Sequence, residues 1–298
     1  MISLQQINNQ YVRAIPIPDE DTRPIKGYDI CSEVYSNVFC VARKKSGKTS
    51  SVYKIMRECC GKNTIIIVFC STVYKDKNWI QIRKYFENKG MDIRVYTSIF
   101  EDGEDHLANL IEDLKQEAKD DEDAQKGEGL KEKEPDVDDI LQRLTNMHLR
   151  AIGRGAEIKE IDDERAPKKK KSKSKYLAPE YMIIFDDLSS ELKSRSLLSL
   201  LKFNRHFKAK LIISSQWLHD LLPESRKQID LWLVFRGFPD KKLAEIYKDC
   251  DCAVPFETFV QIYKKATKKP HSFMYIDTRA DEFRRNFDSK FIIQSQEI

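Results

Sequence analysis

No apolar run in this 298-residue chain reaches the roughly 18 to 20 residues that a bilayer crossing requires. The opening stretch, MISLQQINNQYVRAIPIPDEDTRP, lacks the basic-then-apolar order of a secretory signal, so the expectation is an intracellular protein that is not secreted. Cysteine is present but wrongly spaced for zinc: the closest of the seven are Cys59-Cys60 and Cys250-x-Cys252, with no nearby histidine. Cys40 and Cys70 lie inside apolar runs, where a reduced thiol serves as a small core hydrophobe. Nor does the chain carry the Asn-Lys-x-Asp element that reads a guanine base, or a recognisable nuclease segment. Its formal charge of +4 is too small to announce a nucleic-acid binder by itself.

What the chain does have is charge that is unevenly placed. Glu101 to Asp139 carries 17 acids and 5 bases, whereas Ile140 to Lys175 carries 11 bases and 5 acids. With those segments set aside, the remainder is basic, which suits a polyanionic partner.

Short β-branched runs recur: NVFCVA (Asn37 to Ala42), TIIIVFC (Thr64 to Cys70), DIRVYTS (Asp92 to Ser98), YMIIFDD (Tyr181 to Asp187), AKLIISSQ (Ala209 to Gln216) and LWLVFRGF (Leu231 to Phe238). Continuous apolarity of this kind reads as strands buried on both faces of a sheet. Helical segments fall between them at Thr49 to Cys60, Asn78 to Gly90, Ser189 to Phe207 and Lys241 to Cys250. The alternation predicts a three-layer α/β/α P-loop NTPase fold of the RecA-like type with a mainly parallel central sheet. KKPHSFMYIDTRADEFRRNF reads as an added strand or hairpin. We expect residues 1–36 to form an N-terminal strand or arm, and 37–298 to form the main domain, interrupted by a charged insertion over 101–175. The centre of that insertion, Lys115 to Asp139, has too little apolar surface to offset ordering entropy and is expected to be disordered or a solvated arm. VDDILQRLTNMHLRAI has helical spacing and suggests a short docked helix. Lys168 to Lys171 reads as a solvated linker, a phosphate contact or a nuclear signal.

The chemistry starts at Ala42-Arg43-Lys44-Lys45-Ser46-Gly47-Lys48-Thr49, followed by Ser50. A small residue, four variable ones and Gly-Lys-Ser/Thr between a strand and a helix form a phosphate cradle. Loop and helix amides point at the phosphates, Lys48 reaches the β- and γ-phosphates of ATP, and Thr49 offers a hydroxyl to Mg²⁺. Ala42 stands where glycine is usual, and a basic turn before an ordinary helix is the plain alternative. The partner half is an apolar strand ending in an acid: Asp186 is the metal-side carboxylate, and Asp187 is the general base that polarises the attacking water. A strand end capping the next helix is the competing explanation for both. Gln216, at the end of the next strand, is placed to hold that water or sense the γ-phosphate, unless it is only a polar residue leaving a buried strand.

With these motifs in hand, the chain resembles the FtsK-HerA superfamily of motor ATPases. Within it the nearest are the genome-packaging ATPases of poxviruses, virophages such as mavirus, and Maverick-Polinton elements. The resemblance rests on ARKKSGKTS, IIIVFCST, MIIFDDLSS, NRHFKAKLIISSQ, DLLPESRKQIDLWLVF and RRNFDSKF, and departs from the family at Ala42, at Asp187 in place of Glu, and in the insertion. It implies an ATPase that threads double-stranded DNA of any sequence into a preformed capsid or portal vertex. It further implies a homo-oligomeric ring of about five or six subunits and a location in the host cytoplasm, in a viral factory, or in the virion. In such rings an arginine from the neighbouring subunit completes each site. Arg205 is the first candidate and Arg226 the second, the ordinary alternative for each being a surface ion pair. Lys208, Lys210 and the run Lys264 to Lys269 are possible DNA contacts through phosphates. A helicase or other P-loop NTPase, and a nucleotide-regulated scaffold that hydrolyses ATP poorly, are the competing functions.

Overall fold

The computed structural model describes residues 21–101, 103–127 and 174–293. The first twenty residues, the segment holding the docked helix expected near Ile140, and Lys168 to Lys171 lie outside the described residues.

The apolar runs form strands, each ending within a few residues of where the sequence places it: β1 (Asn37–Val41), β2 (Ile65–Cys70), β3 (Ile93–Tyr96), β6 (Tyr181–Asp186), β7 (Ala209–Ser215) and β8 (Leu231–Phe235). Two short strands, β4 (Phe100–Glu101) and β5 (Glu104–Asp105), pair as a separate ribbon. The expected C-terminal hairpin is present as β9 (Phe273–Asp277), β10 (Glu282–Arg285) and β11 (Ser289–Lys290). Together they build a nine-stranded sheet in the order β11-β10-β9-β8-β1-β7-β6-β2-β3, parallel from β8 to β3 and antiparallel from β9 outward.

Because side chains alternate along a strand, each central strand feeds two cores. Phe39, Phe69, Phe185, Ile213 and Trp232 face one side, where α3 (His106–Gly127), α4 (Arg195–Phe203), α6 (Asp240–Cys250) and α7 (Phe256–Ala266) cover them. Cys40, Val68, Ile184, Ile212 and Leu233 face the other, under α1 (Lys48–Cys59) and α2 (Lys77–Glu87). A one-turn helix, α5 (Pro223–Arg226), joins β7 to β8. This is the three-layer α/β/α arrangement that the alternation of strands and helices predicts.

Four local expectations change. The stretch expected to be one helix from Ser189 to Phe207 begins as a 3₁₀ turn (Ser189–Lys193), and α4 starts only after Ser194, whose hydroxyl accepts from Leu197 N at 3.1 Å. The helix α7 stands where the sequence reading had placed none. Residues 21–36 contain turns and a bridge between Ile25 and Leu177, but no strand. The insertion opens with an ordered helix: α3 runs to Gly127 and seats Leu107, Leu110, Ile111 and Leu114 in the core. Those four lie at i, i+3, i+4 and i+7, a stripe that holds the helix down although acids crowd its other faces. The Asp105 carboxylate caps it by accepting from Ala108 N at 2.8 Å, and Lys208 pairs with Asp121 near its far end at 2.9 Å.

Candidate nucleotide site

The site lies along the carboxyl edge of β1, β7 and β6, neighbours in the sheet. Register puts Cys40 beside Ser214, and Ser214 beside Asp186, so the three strand ends are level. Chain leaving β1 is pinned at once, since Ala42 N donates to Ser215 O at 3.0 Å. Ala42 is fully buried and is not among the residues with positive φ, so this position makes no demand for glycine. Lys45 and Gly47 do turn left-handed, at φ 60° and φ 102°. Ser46 Oγ braces the loop by donating to Arg43 O at 2.7 Å. Gly47 then caps α1, and Lys48 and Thr49 are its first two residues. Unpaired amides at this terminus favour an anion.

An open cleft of about 690 Å³ lies over the loop, with Gly47, Lys48, Thr49 and Ser50 on its floor and Asp76 and Asn78 at the start of α2 on one wall. That volume accommodates a nucleotide. Its opposite wall was missed by sequence reasoning. His271 sits with its Cβ 3.6 Å from where a Gly47 side chain would begin, and its Nδ1 lies 3.3 Å from Ser46 O. Asn286 and Phe287 complete that wall. His271 lies 225 residues from Ser46 in sequence, so nothing local could have signalled the pairing.

Asp186 is 5% exposed at the end of β6. One carboxylate oxygen, Oδ2, accepts from the indole of Trp79 at 2.8 Å, while Oδ1 is buried with no hydrogen-bond partner. Burial pushes the Asp186 carboxyl up from its ordinary value, and the Ser214 hydroxyl, the nearby Lys48 ammonium and the Trp79 indole only partly offset this. A buried carboxylate with an oxygen that accepts no hydrogen bond, near the Lys48 ammonium, is a hard oxygen donor of the kind that fits magnesium. Trp79 was not foreseen, because in sequence it is only one apolar residue of an amphipathic helix.

Asp187 follows in a left-handed conformation, φ 56°, which Asp tolerates better than most residues. Its backbone N donates to Ser214 O at 3.3 Å, and its Oδ1 accepts from Gln216 Nε2 at 2.9 Å. The structure therefore joins the two residues that the sequence picked out separately on β6 and β7. Both are half-buried, as the reach of a water molecule requires.

The two arginines diverge. Arg226 is 9% exposed; its Nε lies 2.7 Å from Asp249 Oδ2, and its Nη1 donates to Leu221 O at 3.2 Å. It is a buried brace between α5 and α6, with no free guanidinium to offer a neighbour, and this corrects the expectation for it. Arg205 is exposed, in the turn that enters β7. Seven residues of strand separate it from Gln216, roughly 20 Å at the usual strand rise, so it cannot serve the site of its own chain. Among the lysines, Lys210 is also corrected: it is 1% exposed and donates to Glu33 O and Ser36 Oγ, both at 2.7 Å. Lys264, Lys265, Lys268 and Lys269 are exposed at the end of α7 and beyond it. No helix of the described residues is long and apolar enough to cross a membrane.

No protein-family model and no curated protein matches the chain. Among solved structures it is similar to the genome-packaging NTPase B204 of Sulfolobus turreted icosahedral virus 2 in complex with AMP. The identity is 16%, with 88% of this chain and 100% of that one covered, at a TM-score of 0.45. It is also similar to the pCW3 conjugation coupling protein TcpA, at 12% identity, 80% and 56% coverage and a TM-score of 0.38. The cytoplasmic domain of the Type VII secretion ATPase EccC of Thermomonospora curvata matches at 13% identity, 81% and 24% coverage and a TM-score of 0.37.

Proposed function

We propose that the chain is an ATPase of the FtsK-HerA type that drives double-stranded DNA into a preformed viral capsid, hydrolysing ATP at the interfaces of a homo-oligomeric ring. The observation that carries this reading is that Asp186, Asp187 and Gln216 end two adjacent parallel strands beside β1, whose following loop sets Lys48 and Thr49 on the floor of a nucleotide-sized cleft. The order of motifs along the chain supplies the FtsK-HerA part of the proposal. Genome packaging is also the named work of the turreted-virus NTPase.

In this reading the loop amides and Lys48 bind and orient the phosphates, and Thr49 and Asp186 are the residues that would hold a magnesium ion. Magnesium, when bound, neutralises charge on the β- and γ-phosphates. Asp187 accepts the proton of the attacking water, and Gln216 fixes that carboxylate and the water in line. Arg205 of one subunit stabilises charge in the site of the next. DNA is gripped through its phosphates, with the exposed lysines at the end of α7 available for that contact.

The test is ATP turnover of wild-type and Lys48→Ala protein, with and without long double-stranded DNA, over a range of protein concentrations. Turnover that requires Lys48, rises with DNA and climbs steeply with concentration is expected. Turnover indifferent to both DNA and concentration would reduce the chain to a P-loop enzyme with some other task.

A further inference from the structure

The cleft over the phosphate loop is larger than phosphates need, and its far wall is chemically specific. That wall comes from the ends of the β9–β10 hairpin: His271 just before β9, and Asn286 and Phe287 just after β10. His271 and Asn286 both hold left-handed backbone, at φ 59° and φ 53°, a conformation uncommon outside glycine.

Each side chain has one polar atom committed and one left over. The carbonyl of Ser46 can only accept, so its contact with His271 requires the ring proton on Nδ1, and in the neutral ring Nε2 is left as an acceptor. Asn286 spends its backbone N on Phe273 O at 3.0 Å and its Oδ1 on Phe273 N at 3.2 Å. Its amide nitrogen has no hydrogen bond among the described residues and remains a donor. Phe287 is half-buried, held edge-on by Phe273 at 5.0 Å, with its ring at the border of the cleft.

We infer that this hairpin end is the nucleobase subsite, and that it selects adenine: Phe287 supplies the stacking surface, His271 Nε2 accepts from the N6 amino group, and the Asn286 amide donates to a ring nitrogen beside it. An edge offering one donor and one acceptor is what adenine presents, whereas the corresponding edge of guanine offers two acceptors, N7 and O6, and leaves the histidine acceptor facing an acceptor. The inference rests on the nucleotide reading above and deepens it.

Binding of ATP, GTP and inorganic tripolyphosphate to wild-type, Phe287→Ala, His271→Ala and Lys48→Ala protein separates the two. Base stacking of the usual strength predicts that wild-type protein binds ATP about tenfold or more tightly than tripolyphosphate, with GTP well below ATP. Phe287→Ala should bring ATP down to the level of tripolyphosphate without weakening tripolyphosphate, His271→Ala should narrow the preference for ATP over GTP, and Lys48→Ala should weaken both ATP and tripolyphosphate. Because Phe287→Ala removes packing from Phe273, photolabelling of wild-type protein with 8-azido-ATP provides a second readout. Label confined to the peptides carrying residues 271 and 286–287 is expected. Label on the groove of about 300 Å³ lined by Trp217 and Phe238, or equal binding of ATP and tripolyphosphate by wild-type protein, would overturn the adenine subsite and leave the phosphate site standing. Failure of wild-type protein to bind either ligand would remove the nucleotide reading and this inference together.

Discussion

Gln216 donates from Nε2 to Asp187 Oδ1 across 2.9 Å, linking the end of β7 to the first residue beyond β6. A carboxylate fixed by a single amide keeps its other oxygen for a water, and a half-buried position lets that water in without flooding the site. Asp187→Asn preserves size and can still accept from Gln216, but it cannot take a proton. Turnover should therefore fall by about 10²- to 10⁴-fold with little change in ATP affinity. Steady-state hydrolysis and equilibrium ATP binding measured on the same preparations check this, and a loss of affinity with intact turnover would move Asp187 out of the chemistry.

Trp79 holds Asp186 from the other side of the strand end, at 2.8 Å. Trp79→Phe keeps most of the buried ring and removes the donor, so the carboxylate loses its orientation. Partners behind a metal ligand commonly matter by about 10- to 100-fold in metal affinity. The magnesium concentration needed for half-maximal turnover should rise within that range, and turnover at saturating magnesium should largely recover. No shift in the magnesium profile would mean that the indole only fills space.

Much of this architecture is legible in the sequence because buried parallel strands are continuous apolar runs: Ile66 to Cys70 and Met182 to Phe185 cannot be solvent-exposed and need helices on both sides. The residues of the phosphate loop, Asp186, Asp187 and Gln216 were readable for a related reason, since each directly follows such a run. α3 was hidden because the acids on its outer faces dominate the composition, although Leu107, Leu110, Ile111 and Leu114 keep a helical stripe. Arg226 was misread because a buried guanidinium and an exposed one look alike until Asp249 is placed beside it. His271, Asn286 and Phe287 reach the site only through the antiparallel hairpin, and Trp79 only through the packing of α2. These are tertiary facts with no local signature.

The Arg226–Asp249 pair makes a stability prediction that its assignment as a finger does not. Both side chains are largely buried, and burial already raises the Asp249 carboxyl from its ordinary value, with Arg226 opposing that rise. Removing the cation alone leaves a carboxylate with no partner at that spot. Arg226→Ala should cost about 3 to 5 kcal/mol in denaturant unfolding. A variant as stable as wild type but deficient only in turnover would restore the catalytic assignment.

Glu282 gives the C-terminal hairpin a pH dependence. Burial raises its carboxyl, but the bonds from Lys290 and Arg284 outweigh this and hold it below its ordinary value of 4.5. A carboxyl depressed in the folded state contributes stability above its unfolded pKa and loses it as pH falls through the folded value. Glu282→Gln should therefore melt below wild type at pH 7, and the gap should close as the pH is lowered beneath about 4.5. A gap of constant size across that range would assign the difference to packing.

Arg205 lies at the amino end of β7, on the opposite edge of the sheet from the loop that carries Lys48. A catalytic part for it thus requires a second subunit, and mixing can reveal one. Arg205→Ala protein keeps an intact phosphate loop but lacks the finger, whereas Lys48→Ala protein lacks the loop lysine and keeps the finger. Each alone should be inactive as a ring, by about 10³-fold or more if the arginine acts as in other phosphoryl-transfer enzymes. Mixed rings should regain turnover, because some interfaces then combine an intact Lys48 with an intact Arg205 from next door. The thermal stability of Arg205→Ala should match wild type, since the side chain is exposed. If mixing recovers nothing while both proteins enter the same ring, Arg205 is not the residue that crosses the interface, and the completing cation must be sought elsewhere on the exposed surface.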